Sequence, residues 1–117
     1  MVLSDATVAE VRELLADVAR SQDLITYSDL ASRITSADIE PHGSDMSSLL
    51  EEVSREEHGS SPRRPLLSAV VVRKSDPSRP GQGFFRLARN LGFDVRDEDA
   101  FWATQLQAVY NQWVPTN

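Results

Sequence analysis

Seven consecutive residues, Leu66–Val72, read LLSAVVV, with no charge and a single hydroxyl. In a chain where 26% of residues are charged, a run of this kind belongs inside. It is too short for a buried helix and its second half is β-branched, so it predicts a strand. Polar residues do not alternate through it. Both faces should therefore be covered, which predicts the central strand of a small sheet. The flanks are cationic, with Arg63 and Arg64 before the run and Arg73 and Lys74 after it. The following SDPSRPGQG reads as a turn or wing stiffened by Pro77 and Pro80.

Helical spacing surrounds this run. Val8, Val11, Leu15 and Val18 recur at steps of three and four, and Leu14 widens their stripe. Thr7 and Glu10 have the spacing of a capping box, with Glu10, Glu13, Asp17 and Arg20 facing water. Leu24 to Tyr27 predicts a short edge strand or an extended lead-in. Ser28 is a good N-cap for a short helix carrying Leu30, Ala31 and Ile34. A polar loop with Pro41 and Gly43 follows. Ser44 caps a third helix with Met46, Leu49, Leu50 and Val53 on its apolar face and Gly59 as its stop. Beyond the wing, Phe84, Leu87, Ala88 and Leu91 return to helical spacing and end at Gly92. The acidic DEDA opens a last helix striped by Phe101, Trp102, Leu106, Val109, Tyr110 and Trp113. The order is helix, strand, helix, helix, strand, wing, helix, helix. It predicts a small α+β fold, winged-helix-like, in which a helix-turn-helix, a small sheet and a basic wing are followed by C-terminal helices. At 117 residues this is one domain, with a core over about residues 7–92 and a C-terminal helix over about 97–114.

Charge is distributed unevenly. The net charge of −6 argues against indiscriminate binding to nucleic acid. Yet residues 60–90 hold seven of the twelve Lys and Arg and one of the eighteen Asp and Glu. The absence of cysteine excludes disulfides, thiolate nucleophiles and cysteine metal sites. The two histidines, His42 and His58, are too few for a histidine metal centre without carboxylate help, and no cofactor motif stands out. PGQG lacks the lysine-serine ending of a nucleotide loop. No apolar run approaches the roughly 20 residues that cross a bilayer, and the N-terminus lacks a basic-then-apolar leader. The expectation is a cytoplasmic protein without a membrane partner, metal or cofactor.

The segment ITYSDLASRI resembles the part of the DNA alkyltransferase and alkyltransferase-like family in which a tyrosine leads into a helix containing Leu-Ala. Pro65, the run Leu66–Val72, GQGFF and RLARNLG follow in that family's order and at similar intervals, so the resemblance covers roughly residues 7–92. It implies a winged-helix fold that binds DNA, with Tyr27 at the position of the tyrosine that helps turn a phosphate; read by itself, Tyr27 equally fits a packing role at the N′ position of the second helix. The departures fall on the chemistry. Where the alkyltransferases follow their proline with cysteine, histidine and arginine, this chain has Leu66, Leu67 and Ser68. Alkyl transfer needs an activated thiolate, and this chain has none. Residues 44–53 also lack the arginine that fills the space of a flipped base. A second resemblance, carried by RPLLSAVVV, PGQGFFRLARNLG and the aromatic C-terminal stripe, is to a family of small uncharacterised bacterial and phage proteins.

Two functional readings lead, and a third, an enzyme whose site is assembled from residues distant in the chain, ranks well behind them. In the first, a non-catalytic binding module contacts nucleic acid, DNA above all, through Tyr27, Arg63, Arg64, Arg73, Lys74, Arg79 and Arg86, each cation adding a phosphate contact. In the second, a protein-binding adaptor or inhibitor, associated with phage or bacterial defence, works through Glu51, Glu52, Arg55 and Glu56, with Trp113 as an apolar anchor for a partner or a second copy. The third helix suits the second reading, because carboxylates facing a phosphate-lined groove are repelled. Phe84 and Phe85 are read as core anchors of the helix they open. Ser68 has no histidine near it in sequence, and no catalytic set emerges.

Overall fold

The computed structural model describes residues 5–59, 64–74 and 79–113. Five α-helices account for most of them: α1 (Asp5–Arg20), α2 (Tyr27–Arg33), α3 (Ser44–His58), α4 (Gln82–Asn90) and α5 (Glu98–Gln112). Two strands of two residues each, β1 (Ile25–Thr26) and β2 (Val71–Val72), pair in parallel, Ile25 against Val71 and Thr26 against Val72. The fold is α+β and mostly helical. One core cluster draws on every helix, with Leu15, Leu49, Val53, Leu66, Leu67, Val70, Phe85 and Val109 fully enclosed.

The apolar run is the first correction. Residues Leu66–Val72 are all buried, as their composition demands, but only Val71 and Val72 are strand. Leu67–Val70 form a 3-10 turn instead. The reason lies in where the backbone hydrogen bonds go, since buried N–H and C=O groups must be paired. Gln105 of α5 accepts the Leu66 N–H at 3.0 Å, and Ser54 of α3 accepts the Ser68 N–H at 3.1 Å. The Trp102 indole donates to the Ala69 carbonyl at 2.8 Å, and the Ala69 N–H returns to the Leu66 carbonyl. Side chains of two helices do the work that neighbouring strands do in a sheet. A central strand is therefore replaced by a buried turn between α1, α3 and α5.

Helix ends shift by small amounts. Thr26, not Ser28, caps α2, its hydroxyl accepting from the Asp29 N–H at 3.1 Å. Gly43 rather than Ser44 precedes α3, and Ser44 is its first residue. Gly59 ends α3 as expected. Asp97 caps α5 through the Ala100 N–H. Gly92 sits at φ +94°, and the bonds Gly92 N–H to Arg89 and Phe93 N–H to Ala88 complete a Schellman stop for α4.

The capping box is the second correction. Thr7 lies inside α1 and is buried, its hydroxyl 2.9 Å from that of Ser36. Glu10 is half-buried and reaches across to the loop after α2. Its carboxylate accepts the backbone N–H and the hydroxyl of both Thr35 and Ser36. Four donors on one carboxylate hold its pKa down at about 2, the Thr35 hydroxyl contributing most. A depressed carboxylate stabilises the fold above its unfolded pKa, and that contribution is lost as pH falls through the folded value. Glu10→Gln should therefore lower the urea midpoint at pH 7. The gap to the parent should close as pH falls from the ordinary glutamate value of 4.5 towards 2. A gap that persists unchanged to pH 2 would assign the loss to packing rather than to charge.

Candidate functional site

The loop that follows β2 is closed at its root, where the Arg73 N–H donates to the Arg79 carbonyl at 2.7 Å. Its tip, residues 75–78, lies outside the described residues, as does Arg63. The loop runs into α4 through Pro80 and Gly81. There the Gly81 N–H donates to the Tyr27 hydroxyl at 2.9 Å. A Cβ at Gly81 would stand 3.1 Å from that oxygen, so glycine admits the close approach. Burial raises the Tyr27 hydroxyl above the ordinary phenol range, with the Gly81 N–H and Arg73 opposing, and it stays protonated near neutrality. Tyr27 thus pins the start of α4 to the start of α2, with its ring 5.7 Å from that of His42.

Between α3, α4 and this loop root lies a cavity of about 490 Å³. Its floor is apolar, made by Met46 and Leu50 of α3 and by Phe84 and Leu87 of α4, all buried. Tyr27, Pro41 and His42 form one wall. Ser68 closes the back, its hydroxyl 2.7 Å from that of Ser54. Arg73, Gln82, Arg86 and Asn90 supply polar groups around it, with Ser47 and Glu51 across on α3.

The predicted cations separate into two groups. Arg64 pairs with buried Glu57 at 3.4 Å and lies over the Trp113 ring. Arg79 pairs with Glu98 at 3.2 Å and Asp99 at 3.3 Å, and covers the Phe85 ring. Glu98 is shared with Arg89 at 3.0 Å, and the hydrogen bond from Arg89 is the main cause that holds its carboxyl below the usual range. Both Arg64 and Arg79 are thus engaged by the fold. Arg73, Lys74 and Arg86 are exposed and have no ion-pair partner among the described residues.

The acidic set is also largely engaged. Glu51 accepts two bonds from Arg55, at 3.0 and 2.8 Å, and Glu56 stands 3.8 Å from Arg12. Glu52 is exposed on the same helix. Trp113 is half-buried with Arg20 over its ring at 5.2 Å, on the side of the molecule where Arg64 also stacks. Phe84 and Phe85 are both buried, in an edge-to-face pair at 5.2 Å.

His42, Ser47, Gln82 and Asn90 were not singled out by spacing or motif. They converge from three segments across 49 positions (42 to 90), and no local pattern marks such a meeting. Gly83 is the one local hint. It stands inside the first turn of α4, where glycine weakens a helix, and its backbone does not require it. Among the described residues no helix is long and apolar enough to cross a membrane, and no three His, Asp or Glu side chains gather as a metal cage. No family model matches the chain, and no curated protein or solved structure is significantly similar to it.

Proposed function

We propose that this chain is a non-catalytic, winged-helix-like binding module that contacts nucleic acid through the root of its basic loop. The carrying observation is the set Arg73, Lys74 and Arg86. These three are exposed and unneutralised among the described residues, on a chain of net charge −6. An acidic protein has carboxylates to spare for its own cations, and most of its arginines use them. Cations without an ion-pair partner among the described residues are available to phosphate, where each contact releases a counterion. The element order supports the winged-helix comparison. β1 leads into α2 and α3, and β2 leads into a loop closed at its root. The alkyltransferase-like kinship suggested by ITYSDLASRI and RLARNLG is part of the same proposal.

Tyr27 enters this reading as a positioning residue, since its hydroxyl holds the Gly81 N–H where α4 begins. The adaptor reading is weaker on the same ground of engagement. Glu51, Arg55, Glu56 and Trp113 all have partners within the chain, which leaves Glu52 as the free member of that set among the described residues.

The test is a gel shift with a short duplex and a single strand at about 50 mM salt. The parent chain should shift at least one of them, and affinity should fall steeply as salt rises. Arg73→Ala/Lys74→Ala/Arg86→Ala should abolish the shift or flatten the log–log salt slope by about 2–3, near 0.9 for each phosphate that is no longer neutralised. Absence of any shift at low micromolar protein would sink the proposal.

A further inference from the structure

The cavity between α3 and α4 is larger than a loop contacting phosphates requires, and its lining has its own chemistry. At about 490 Å³ it falls within the range of sites that enclose a small organic molecule. Met46, Leu50, Phe84 and Leu87 form a floor that is less than a tenth exposed. Such a floor favours an apolar body. Tyr27, His42 and Phe84 place three aromatic rings in the lining, the first two tilted against each other at 5.7 Å. A flat aromatic body gains from such rings and loses little conformational freedom on binding.

Charge selects the rest of the ligand. Arg73 and Arg86 both line the cavity and are without an ion-pair partner among the described residues. The carboxylate in the lining, Glu51, is held by Arg55. Guanidinium groups bind carboxylate and phosphate oxygens through paired N–H donors. The N-cap of α4 is Gly81, which has no side chain to cap the turn, and the first turn adds partial positive charge at the same place. Ser68, also in the lining, is buried and its hydroxyl has Ser54 as a partner.

We infer that this cavity is a binding site for a small aromatic anion, an aryl phosphate or aryl carboxylate, with its ring over the apolar floor and its anionic group between Arg73 and Arg86. The site goes beyond nucleic-acid contact and does not depend on it. A loop that tracks a backbone needs the two arginines but not the cavity behind them.

Gly83 provides a substitution that separates the two. It lines the cavity, and a Cβ there would meet nothing within 4 Å. Gly83 is exposed, so Gly83→Leu should be accommodated without a clash and add bulk to the cavity lining while strengthening the helix. Gly81→Ala would not serve, because its Cβ would crowd the Tyr27 hydroxyl at 3.1 Å.

The probe is p-nitrophenyl phosphate, titrated into the full chain by calorimetry and by amide chemical shifts, with p-nitrobenzyl alcohol as the neutral analogue. The parent should bind the phosphate one to one, with a Kd at or below about 1 mM. The neutral analogue and the Arg73→Ala/Arg86→Ala variant should each bind about tenfold more weakly or worse. Gly83→Leu, with unchanged far-UV circular dichroism, should lose the phosphate while keeping any shift of DNA. No saturation by about 10 mM, equal binding of the neutral analogue, or undiminished binding by Gly83→Leu would each overturn the inference. Failure here with the DNA shift intact sinks the cavity site alone. The reverse result sinks the nucleic-acid reading alone.

Discussion

Phe85→Ala should cost about 3–5 kcal/mol of unfolding free energy, the usual range for emptying a fully enclosed phenylalanine site. Phe85 has no exposed surface and seats α4 in the core, with the Phe84 ring edge-on at 5.2 Å and Arg79 over its face at 5.5 Å. Domains of this size hold about 5–15 kcal/mol in total, so the loss is a large fraction of the whole stability. Phe84→Ala is the informative comparison. Phe84 also lies on the wall of an existing cavity, so its removal enlarges a space already open instead of creating a sealed void. Urea titrations followed by tryptophan fluorescence should rank Phe85→Ala well above Phe84→Ala. Equal losses, or a loss at Phe85 below about 1 kcal/mol, would mean that α4 is not seated as described.

The second large effect concerns a buried pair of serines with unequal duties. Ser54 and Ser68 are both enclosed, and their hydroxyl oxygens lie 2.7 Å apart. Ser54 also accepts the Ser68 backbone N–H at 3.1 Å. Ser54→Ala therefore strands two polar groups in the core, the Ser68 hydroxyl and its N–H, at about 1–3 kcal/mol each. Ser68→Ala leaves the backbone bond to Ser54 in place and should cost less. The double variant should cost less than the sum of the two, because the Ser68 hydroxyl that Ser54→Ala strands is then absent. A Ser68→Ala loss as large as that of Ser54→Ala would show that the N–H contact does not stabilise the turn. The pair also matters for the cavity, whose back wall is Ser68.

Much of the helical framework was legible before any coordinates. Val8, Val11, Leu15 and Val18 on α1 are buried as their spacing requires, and so are Met46, Leu49, Leu50 and Val53 on α3. Gly59 and Gly92 stop the helices they were expected to stop. The N-terminus of α2 was harder, because more than one hydroxyl residue stands where the cap is needed. Thr26 and Ser28 are both competent, and the choice fell to the one that precedes Tyr27. Thr7 and Glu10 carried a correct local spacing and a wrong meaning. Their partners, Ser36 and Thr35, lie 25 to 29 positions away, and a capping rule looks only three residues ahead.

The site divides in the same manner. That residues 60–90 are cationic could be read directly. Which of those cations is free could not, because Arg64 and Arg79 find Glu57, Glu98 and Asp99 only after folding. Nor could the cavity be read, since its floor uses the same residue types as the core and differs only in what lies opposite.

Leu66–Val72 shows where the division falls. Its sequence alone determined that it is buried, because seven uncharged residues gain too much from leaving water to stay at the surface. Its conformation was decided by the tertiary structure. A buried backbone takes whatever shape its hydrogen-bond partners allow: over Leu66–Ala69 those partners include Ser54, Gln105 and Trp102, and only Val71 and Val72 pair with another strand. Burial is a property of composition that each residue carries with it. Pairing is a property of neighbours, and the neighbours of this run come from helices on both sides of it in the chain.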